Sequence, residues 1–94
     1  MMTVDDTAVD ALAKAVADPT RRRIIVHLRD EPGATTAELG PLAPTISRFA
    51  VMKHLDVLRR AGLVRSMSVG RCRRHYLEAD AMTPLRAWLA QVPG

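Results

Sequence analysis

The chain has 94 residues, a length that suits one domain, and 23 of them are Leu, Ile, Val or Phe, which is enough to exclude a disordered chain. A domain of this size with only three aromatic residues has a small core, so we expect it to oligomerise. No apolar run approaches the ~18 residues of a membrane span, and a lone cysteine rules out an intrachain disulfide. We therefore expect a single cytoplasmic domain over residues 1–94.

The positive charge is concentrated in one part of the chain. Twelve of the 14 basic residues are arginine, and residues 45–75 hold eight basic residues against one acidic residue, Asp56. Such a concentration indicates a polyanionic partner, most simply nucleic acid, because binding releases the counterions of the phosphates. A solvated basic face is the alternative explanation.

Two helices are predicted at the start of the chain. Over residues 3–17 the apolar side chains recur at helical spacing, as Val9, Leu12, Ala13 and Val16 show. Asp18 is the expected N-cap of the next helix, over residues 19–29, with a proline in its first position. We expect this second helix to bury Ile24, Ile25 and Leu28 and to turn three arginines outward, namely Arg21, Arg22 and Arg23.

Residues 35–62 have the outline of a helix-turn-helix, two helices joined by a tight connection. Thr35 and Glu38 have the spacing of a capping box, and the prolines that follow keep this helix short. Ser47 is the expected N-cap of the second helix, which ends at Gly62. Its apolar residues share one face: Val51, Leu55 and Leu58.

Residues 63–77 change to the pattern of two short strands about Gly70, a hairpin whose return arm is basic. A last helix over residues 83–92 carries one apolar stripe that needs a partner surface. The stripe consists of Leu85, Trp88, Leu89 and Val92. The predicted fold is therefore mainly α with a small β-hairpin.

Three segments resemble the ArsR/SmtB family of bacterial winged-helix repressors: LAKAVADPTRRRIIVHL, SRFAVMKHLDVLRRAGLV and VGRCRRHYLEAD. The resemblance runs from about Leu12 to Leu89. It implies a winged helix-turn-helix of order α-α-α-α-β-β-α, a homodimer, and an inverted-repeat, palindromic operator in double-stranded DNA. It also implies that the first and last helices pack across the dimer axis, which would assign dimerisation to Val9, Leu12, Val16, Leu85, Trp88, Leu89 and Val92.

The first turns of a recognition helix reach base edges in the major groove. Arg48 is expected to grip guanine O6 and N7, and Lys53 either guanine or a phosphate. Phe49 and Met52 either touch a thymine methyl or pack inward, and Ser47 is more simply a cap. We expect nine DNA-contacting residues, including three wing arginines that hold backbone or minor groove: Ser47, Arg48, Phe49, Met52, Lys53, His54, Arg71, Arg73 and Arg74. His54 either contacts a phosphate or makes structural hydrogen bonds.

No metal site or cofactor is expected. The family's metal sensors use a cysteine pair in the third helix or His and carboxylate ligands in the last helix, and this sequence has neither. The chain's histidines are far apart, and zinc needs roughly three or four convergent ligands. The resemblance therefore favours a repressor of the type that does not sense metals.

Three alternatives remain open. Cys72, flanked by arginines, is a possible redox switch or simply a small strand residue, so the repressor could respond to thiols or small molecules, although no inducer is indicated. The apolar last helix could instead make the chain a protein-interaction module. An enzyme is not expected, because the sequence has no Gly-rich phosphate loop, paired carboxylates or catalytic triad.

Overall fold

The computed structural model describes residues 6–92. The helices are α1 (Asp6–Val16), α2 (Pro19–Asp30), α3 (Thr36–Leu39), α4 (Arg48–Arg60) and α5 (Thr83–Leu89), and the strands are β1 (Ala34–Thr35), β2 (Val64–Val69) and β3 (Cys72–Leu77). A 3-10 turn, Gly40–Leu42, follows α3. This is the predicted winged helix-turn-helix, with α3 and α4 as the helix pair and β2–β3 as the wing. Residues 3–5 of the predicted first helix lie outside the described residues.

Three predicted caps are present at the starts of helices. Each side-chain oxygen accepts a hydrogen bond from a backbone N–H in the first turn: Asp18 from Arg21 at 3.0 Å, Thr35 from Glu38 at 3.2 Å, and Ser47 from Ala50 at 3.1 Å. These bonds satisfy donors that the helix itself leaves unpaired. The caps therefore set where α2, α3 and α4 begin.

The sheet has three strands, whereas the sequence predicted two. β1 pairs antiparallel with β3, opposing Ala34 to His75 and Thr35 to Arg74, so the strand order is β1-β3-β2. Gly33, the residue before β1, has φ +85° and donates its N–H to the His75 carbonyl at 2.9 Å. A two-residue strand has too little pattern to be detected in the sequence, and it forms because β3 supplies the partner. It joins the start of the helix-turn-helix to the wing.

One apolar core lies beneath the helices and the sheet. Its buried members include Leu12, Ile24, Leu28, Leu39, Val51, Leu55 and Leu58. The predicted inward faces of α2 and α4 are confirmed by this burial. Leu12 is only 1% exposed within the single chain, so its assignment to a dimer surface is wrong. It sits against the chain's own core and has no surface to offer a second copy.

Two further expectations about the helices need correction. Arg21 does not face outward: its guanidinium donates to the carbonyls of Lys14 and Ala15, both at 2.8 Å. The last helix ends at Leu89, so Val92 lies beyond it.

None of the helices within residues 6–92 has the length and apolarity needed to cross a membrane.

Candidate nucleic-acid interface

The first two turns of α4 present an exposed face opposite the buried one. Val51 and Leu55 point into the core and thereby fix which side of the helix faces solvent. That side contains Phe49, Met52 and Lys53, all of them exposed, and Ser47 and Arg48 are exposed at the start of the helix. Phe49 is 65% exposed and Met52 51%, so neither packs inward. These five predicted site residues are therefore all accessible at the start of α4.

Phe49 and Lys53 form a contact within this surface. They are four residues apart and therefore neighbours on the helix, and the Lys53 Nζ lies 4.9 Å from the centroid of the Phe49 ring. At this distance the ammonium is attracted to the negative face of the ring. The contact restricts both side chains at a position exposed to solvent.

The recognition helix and the wing tip line one shallow cavity of about 170 Å³. Arg48 and Met52 come from α4, Arg71 and Arg73 from the wing, and residues 35–37 also line the cavity. Cys72 lines the same cavity and its thiol is exposed. Within residues 6–92 these three arginines form no ion pair, whereas Arg59 and Arg60 both pair with Asp56 at 3.1 Å. Unneutralised positive charge is therefore gathered where helix and wing meet.

Arg74 does not project from the wing together with Arg71 and Arg73. Its guanidinium donates to the Gly33 carbonyl at 3.0 Å and is partly buried. Side chains alternate between the two faces of a strand, which puts Arg73 and Arg74 on opposite sides of β3. Arg74 therefore ties the chain before β1 to the sheet, and its assignment to DNA contact stays a prediction.

His54 faces the junction of α1 and α2, away from the exposed face of α4. Its Nδ1 lies 3.2 Å from Nη1 of Arg21 and 4.0 Å from Oδ2 of Asp18. A guanidinium can only donate, so Nδ1 accepts this hydrogen bond. These contacts favour a structural role for His54 at this junction, and its contact with DNA stays a prediction.

His75 is a residue whose role the sequence did not indicate. It is 2% exposed, with Nδ1 at 2.7 Å from the Ser66 hydroxyl and Nε2 at 2.8 Å from the Thr36 hydroxyl. Burial lowers the pKa of His75, and the positive charges of Arg73 and Arg59 lower it further. One side chain thus links the wing to the first residue of α3. The alternation of β3, which puts His75 on the face of Arg73, was the available signal.

The surface near α5 carries exposed apolar residues. Trp88 is 42% exposed, Leu89 53% and Val92 50%, whereas Leu85 packs partly against the core. α5 packs against α1 within the same chain. Val9 and Val16 of α1 are half-buried. The six remaining predicted dimerisation residues therefore differ in how much surface they can offer, and Trp88 and Leu89 offer the most from a helix.

The part of the chain that the structure describes contains no group of three or more His, Cys, Asp or Glu side chains placed to hold a metal ion. Cys72 is the sole cysteine of the sequence. Of the three histidines, His54 and His75 are engaged by Arg21 and by two hydroxyls, respectively. The imidazoles of His54 and His75 are therefore engaged in contacts within the fold.

Comparison with known proteins agrees with this geometry. A family model described as a helix-turn-helix domain matches residues 16–66. The chain is 38% identical over 90 residues to the HTH-type transcriptional regulator CmtR of Mycobacterium tuberculosis, which covers 93% of this chain and 72% of that protein. A solved ArsR family transcriptional regulator superimposes with a TM-score of 0.86 at 31% identity, covering 96% of this chain and 91% of that one.

A further similar structure is the cadmium metal-sensor CmtR of M. tuberculosis, solved by NMR, with a TM-score of 0.61 and 35% identity over 88% of this chain and 84% of that one. A basic recognition helix beside a basic wing defines a winged helix-turn-helix protein that binds double-stranded DNA. The chain belongs to the ArsR family of helix-turn-helix transcriptional regulators. Its relatives regulate transcription, and it is likewise a regulator and not an enzyme.

Proposed function

We propose that this regulator is a homodimeric repressor that binds an inverted-repeat operator in the cytoplasm and responds to no metal ion. The observation that carries the proposal is the meeting of Arg48 with Arg71 and Arg73 around one cavity. Three guanidinium groups that have no ion pair among residues 6–92 match a duplex that offers guanine edges and phosphates side by side.

In the proposed binding mode α4 lies in the major groove with its first two turns against the bases. Arg48 donates both of its forked N–H groups to guanine O6 and N7. Ser47 holds the start of the helix through its cap, and the wing arginines Arg71 and Arg73 contact the phosphate backbone. The base-reading and anchoring roles are thus divided between α4 and the wing.

The dimer is proposed to form through the surface of α1 and α5. Trp88 and Leu89 leave a large apolar area exposed on a domain whose core is small. A two-fold axis through this surface would present two α4 helices to successive major grooves, and the operator would repeat that symmetry as an inverted repeat. The proposed dimer residues are Val9, Val16, Leu85, Trp88, Leu89 and Val92.

We propose that the regulator does not respond to metal ions because the side chains of residues 6–92 do not form a metal site. A relative of this chain is described as a cadmium sensor, but here the thiol of Cys72 is alone and the described His, Cys, Asp and Glu residues do not converge. Cadmium and zinc prefer sites with several thiolate or imidazole ligands. The exposed Cys72 at the DNA-facing cavity leaves the thiol-responsive alternative as an outcome of the tests.

Selection from a random pool of double-stranded DNA tests the proposal, with one arm in excess chelator and one in reductant-free buffer. We expect enrichment of the same inverted repeat with and without chelator. A repeat that disappears with chelator would contradict metal independence, and a direct repeat or single half-site would contradict the dimer. No enrichment at all would favour the protein-interaction module. A repeat lost only without reductant, and retained by Cys72→Ser, would support the thiol response.

Two arginine variants test the division of roles. Arg48→Ala should cost about 1–3 kcal/mol and relax the preference at one base pair of each half-site. Arg73→Ala should weaken binding to all sequences alike and reduce the slope of log K against log salt by about 1 per protomer. Equilibrium binding across a salt series, on the operator and on its single-base variants, measures both effects. Exchange of the two effects would contradict the assignment.

A further inference from the structure

An exposed aromatic ring lies at the centre of the proposed base-contacting face. Phe49 is 65% exposed and stands outside the core of the described residues. It occupies the second position of α4, next to Arg48. Leaving a phenyl ring in water forgoes the free energy of burying it, so the ring gains from an apolar surface supplied by the partner.

The major groove supplies one apolar group at its base edges, the C5-methyl of thymine. The nitrogen and oxygen atoms at the edges are hydrogen-bond donors or acceptors, and a phenyl ring placed against them would remove their water without replacing the hydrogen bonds. Cytosine carries only a hydrogen atom at C5 and so offers the ring less apolar contact than thymine does. Cytosine methylated at C5 presents the same methyl group in the same place. The chemistry of the ring therefore selects among bases even though it makes no hydrogen bond.

We propose that Phe49 is a specificity-determining residue that reads the 5-methyl group of one pyrimidine in each half-site. The inference rests on the proposed function, since it requires α4 to lie in the major groove. Thymine and 5-methylcytosine are accepted at this position, and unmethylated cytosine and uracil are disfavoured.

Lys53 is the positioning residue for this contact. Its ammonium lies 4.9 Å from the centroid of the Phe49 ring and is attracted to the ring face. This attraction limits the orientations of the ring before DNA binds, so less side-chain freedom is lost on binding. The edge of the ring is left to meet the methyl group.

The experiment uses the full chain and the operator obtained by selection. Each thymine is replaced in turn by deoxyuridine, which removes the methyl group and keeps the base pairing, and each cytosine by 5-methylcytosine. Affinity is measured by fluorescence anisotropy. We expect one position per half-site at which deoxyuridine weakens wild-type binding about fourfold, the effect of losing roughly one buried methyl group. An operator with cytosine in place of that thymine is expected to bind the protein more tightly once the cytosine is methylated at C5.

Variants then connect the effect to the ring. Phe49→Ala should bring the ratio of thymine to uracil affinity to about one, and Phe49→Leu should keep most of the ratio because it keeps an apolar contact. Lys53→Met should lower the ratio part of the way. Loss of a phosphate contact by itself would weaken both DNAs equally and leave the ratio unchanged. Val26→Ala, an equally apolar change at a 47% exposed site on α2, is the matched control and should keep the wild-type ratio.

The outcomes separate the inference from the function beneath it. If DNA is selected but no deoxyuridine position affects the wild type, or if Phe49→Ala keeps the wild-type ratio, the inference fails and the proposed function stands. If no DNA sequence is enriched, both fail. Phe49 is exposed, so its variants are expected to keep the wild-type thermal unfolding profile, which circular dichroism checks.

Discussion

The imidazole of His75 is 2% exposed beside the interface and contacts two separate elements. Its two nitrogens contact the hydroxyls of Ser66 and Thr36, one on the wing and one on α3. Both contacts can form with a neutral ring, in which one nitrogen donates and the other accepts. Protonation would place a positive charge in a buried site near Arg73 and Arg59, which is why the pKa is lowered.

The lowered pKa of His75 predicts a loss of stability in mild acid. The unfolded chain binds a proton near the ordinary value of 6.5 and the folded chain only at lower pH. The stabilisation is therefore fully present above that value and is lost as the pH falls through the folded-state pKa. His75→Gln should lower the free energy of unfolding by about 1–3 kcal/mol near pH 7.5, and by less near pH 5.

Urea unfolding of the wild type and of His75→Gln, from about pH 7.5 to about pH 5, measures this difference in the free energy of unfolding. The other histidines are present in both proteins, so their contributions cancel in the comparison. Ser68→Ala, an exposed change on the same face of the wing, is the control and should stay within about 0.5 kcal/mol of wild type at every pH. A difference between wild type and His75→Gln that does not narrow in acid would contradict the role of His75 protonation.

At the scale of elements, arginines of α2 cap the C-terminal end of α1. Arg21 donates to the carbonyls of Lys14 and Ala15, and Arg22 donates to the carbonyl of Val16, all at 2.8 Å. The last carbonyls of a helix have no partner within it, and the helix dipole concentrates negative charge there. Cations from the next helix therefore fix the angle between α1 and α2. Arg21 extends the same link to His54 of the recognition helix.

The cap on α1 predicts different outcomes for two neighbouring arginines. Arg21→Ala should lower the free energy of unfolding by about 1–2 kcal/mol, because it removes charged hydrogen bonds to the carbonyls of Lys14 and Ala15 at the end of α1. Arg23→Ala, at an exposed site on the same helix, should change it by less than about 0.5 kcal/mol. Urea unfolding near neutral pH gives both values. Equal effects would mean that these carbonyls are satisfied equally well by water.

At the scale of the whole molecule, one small domain carries both an exposed apolar surface near α5 and a basic cavity between α4 and the wing. The described chain buries a compact set of aliphatic side chains and leaves Trp88 and Leu89 at the surface. Apolar patches of this kind on a monomer mark interaction surfaces. In the proposed dimer the same surface sets the spacing of the two recognition helices, so association and operator binding depend on each other.

The double variant Trp88→Ala/Leu89→Ala is expected to weaken the dimer and, with it, operator binding. Removing a central tryptophan from an interface costs about 2 kcal/mol or more, roughly thirtyfold in the dimer dissociation constant. Sedimentation equilibrium measures association, and anisotropy compares the full operator with a single half-site. Met67→Ala, an equally exposed apolar residue on the wing, is the control for association. A double variant that remains dimeric at wild-type concentrations would place the interface elsewhere.

The elements of this chain could be predicted because their signals are local. The caps at Asp18, Thr35 and Ser47 and the inward stripe of α4 depend on residues within about two turns of one another. The tip at Gly70 follows from one residue that adopts a positive φ. The exposed face of α4 then follows by elimination, since the buried stripe occupies the other side.

The side-chain partners were decided by tertiary structure. Arg21, His54 and Arg74 look like solvent-exposed or DNA-contacting residues in the sequence, yet each is held by a group distant in the chain or on another element. β1 exists because β3 lies beside it, and Leu12 is core because α1 packs inward. Sequence determined the capped starts of α2, α3 and α4, the turn positions and the basic character of the interface, since these arise from neighbouring residues. Only the fold determined which polar groups stay free for DNA, because an arginine or histidine pairs with whichever acceptor the packing brings within about 3 Å.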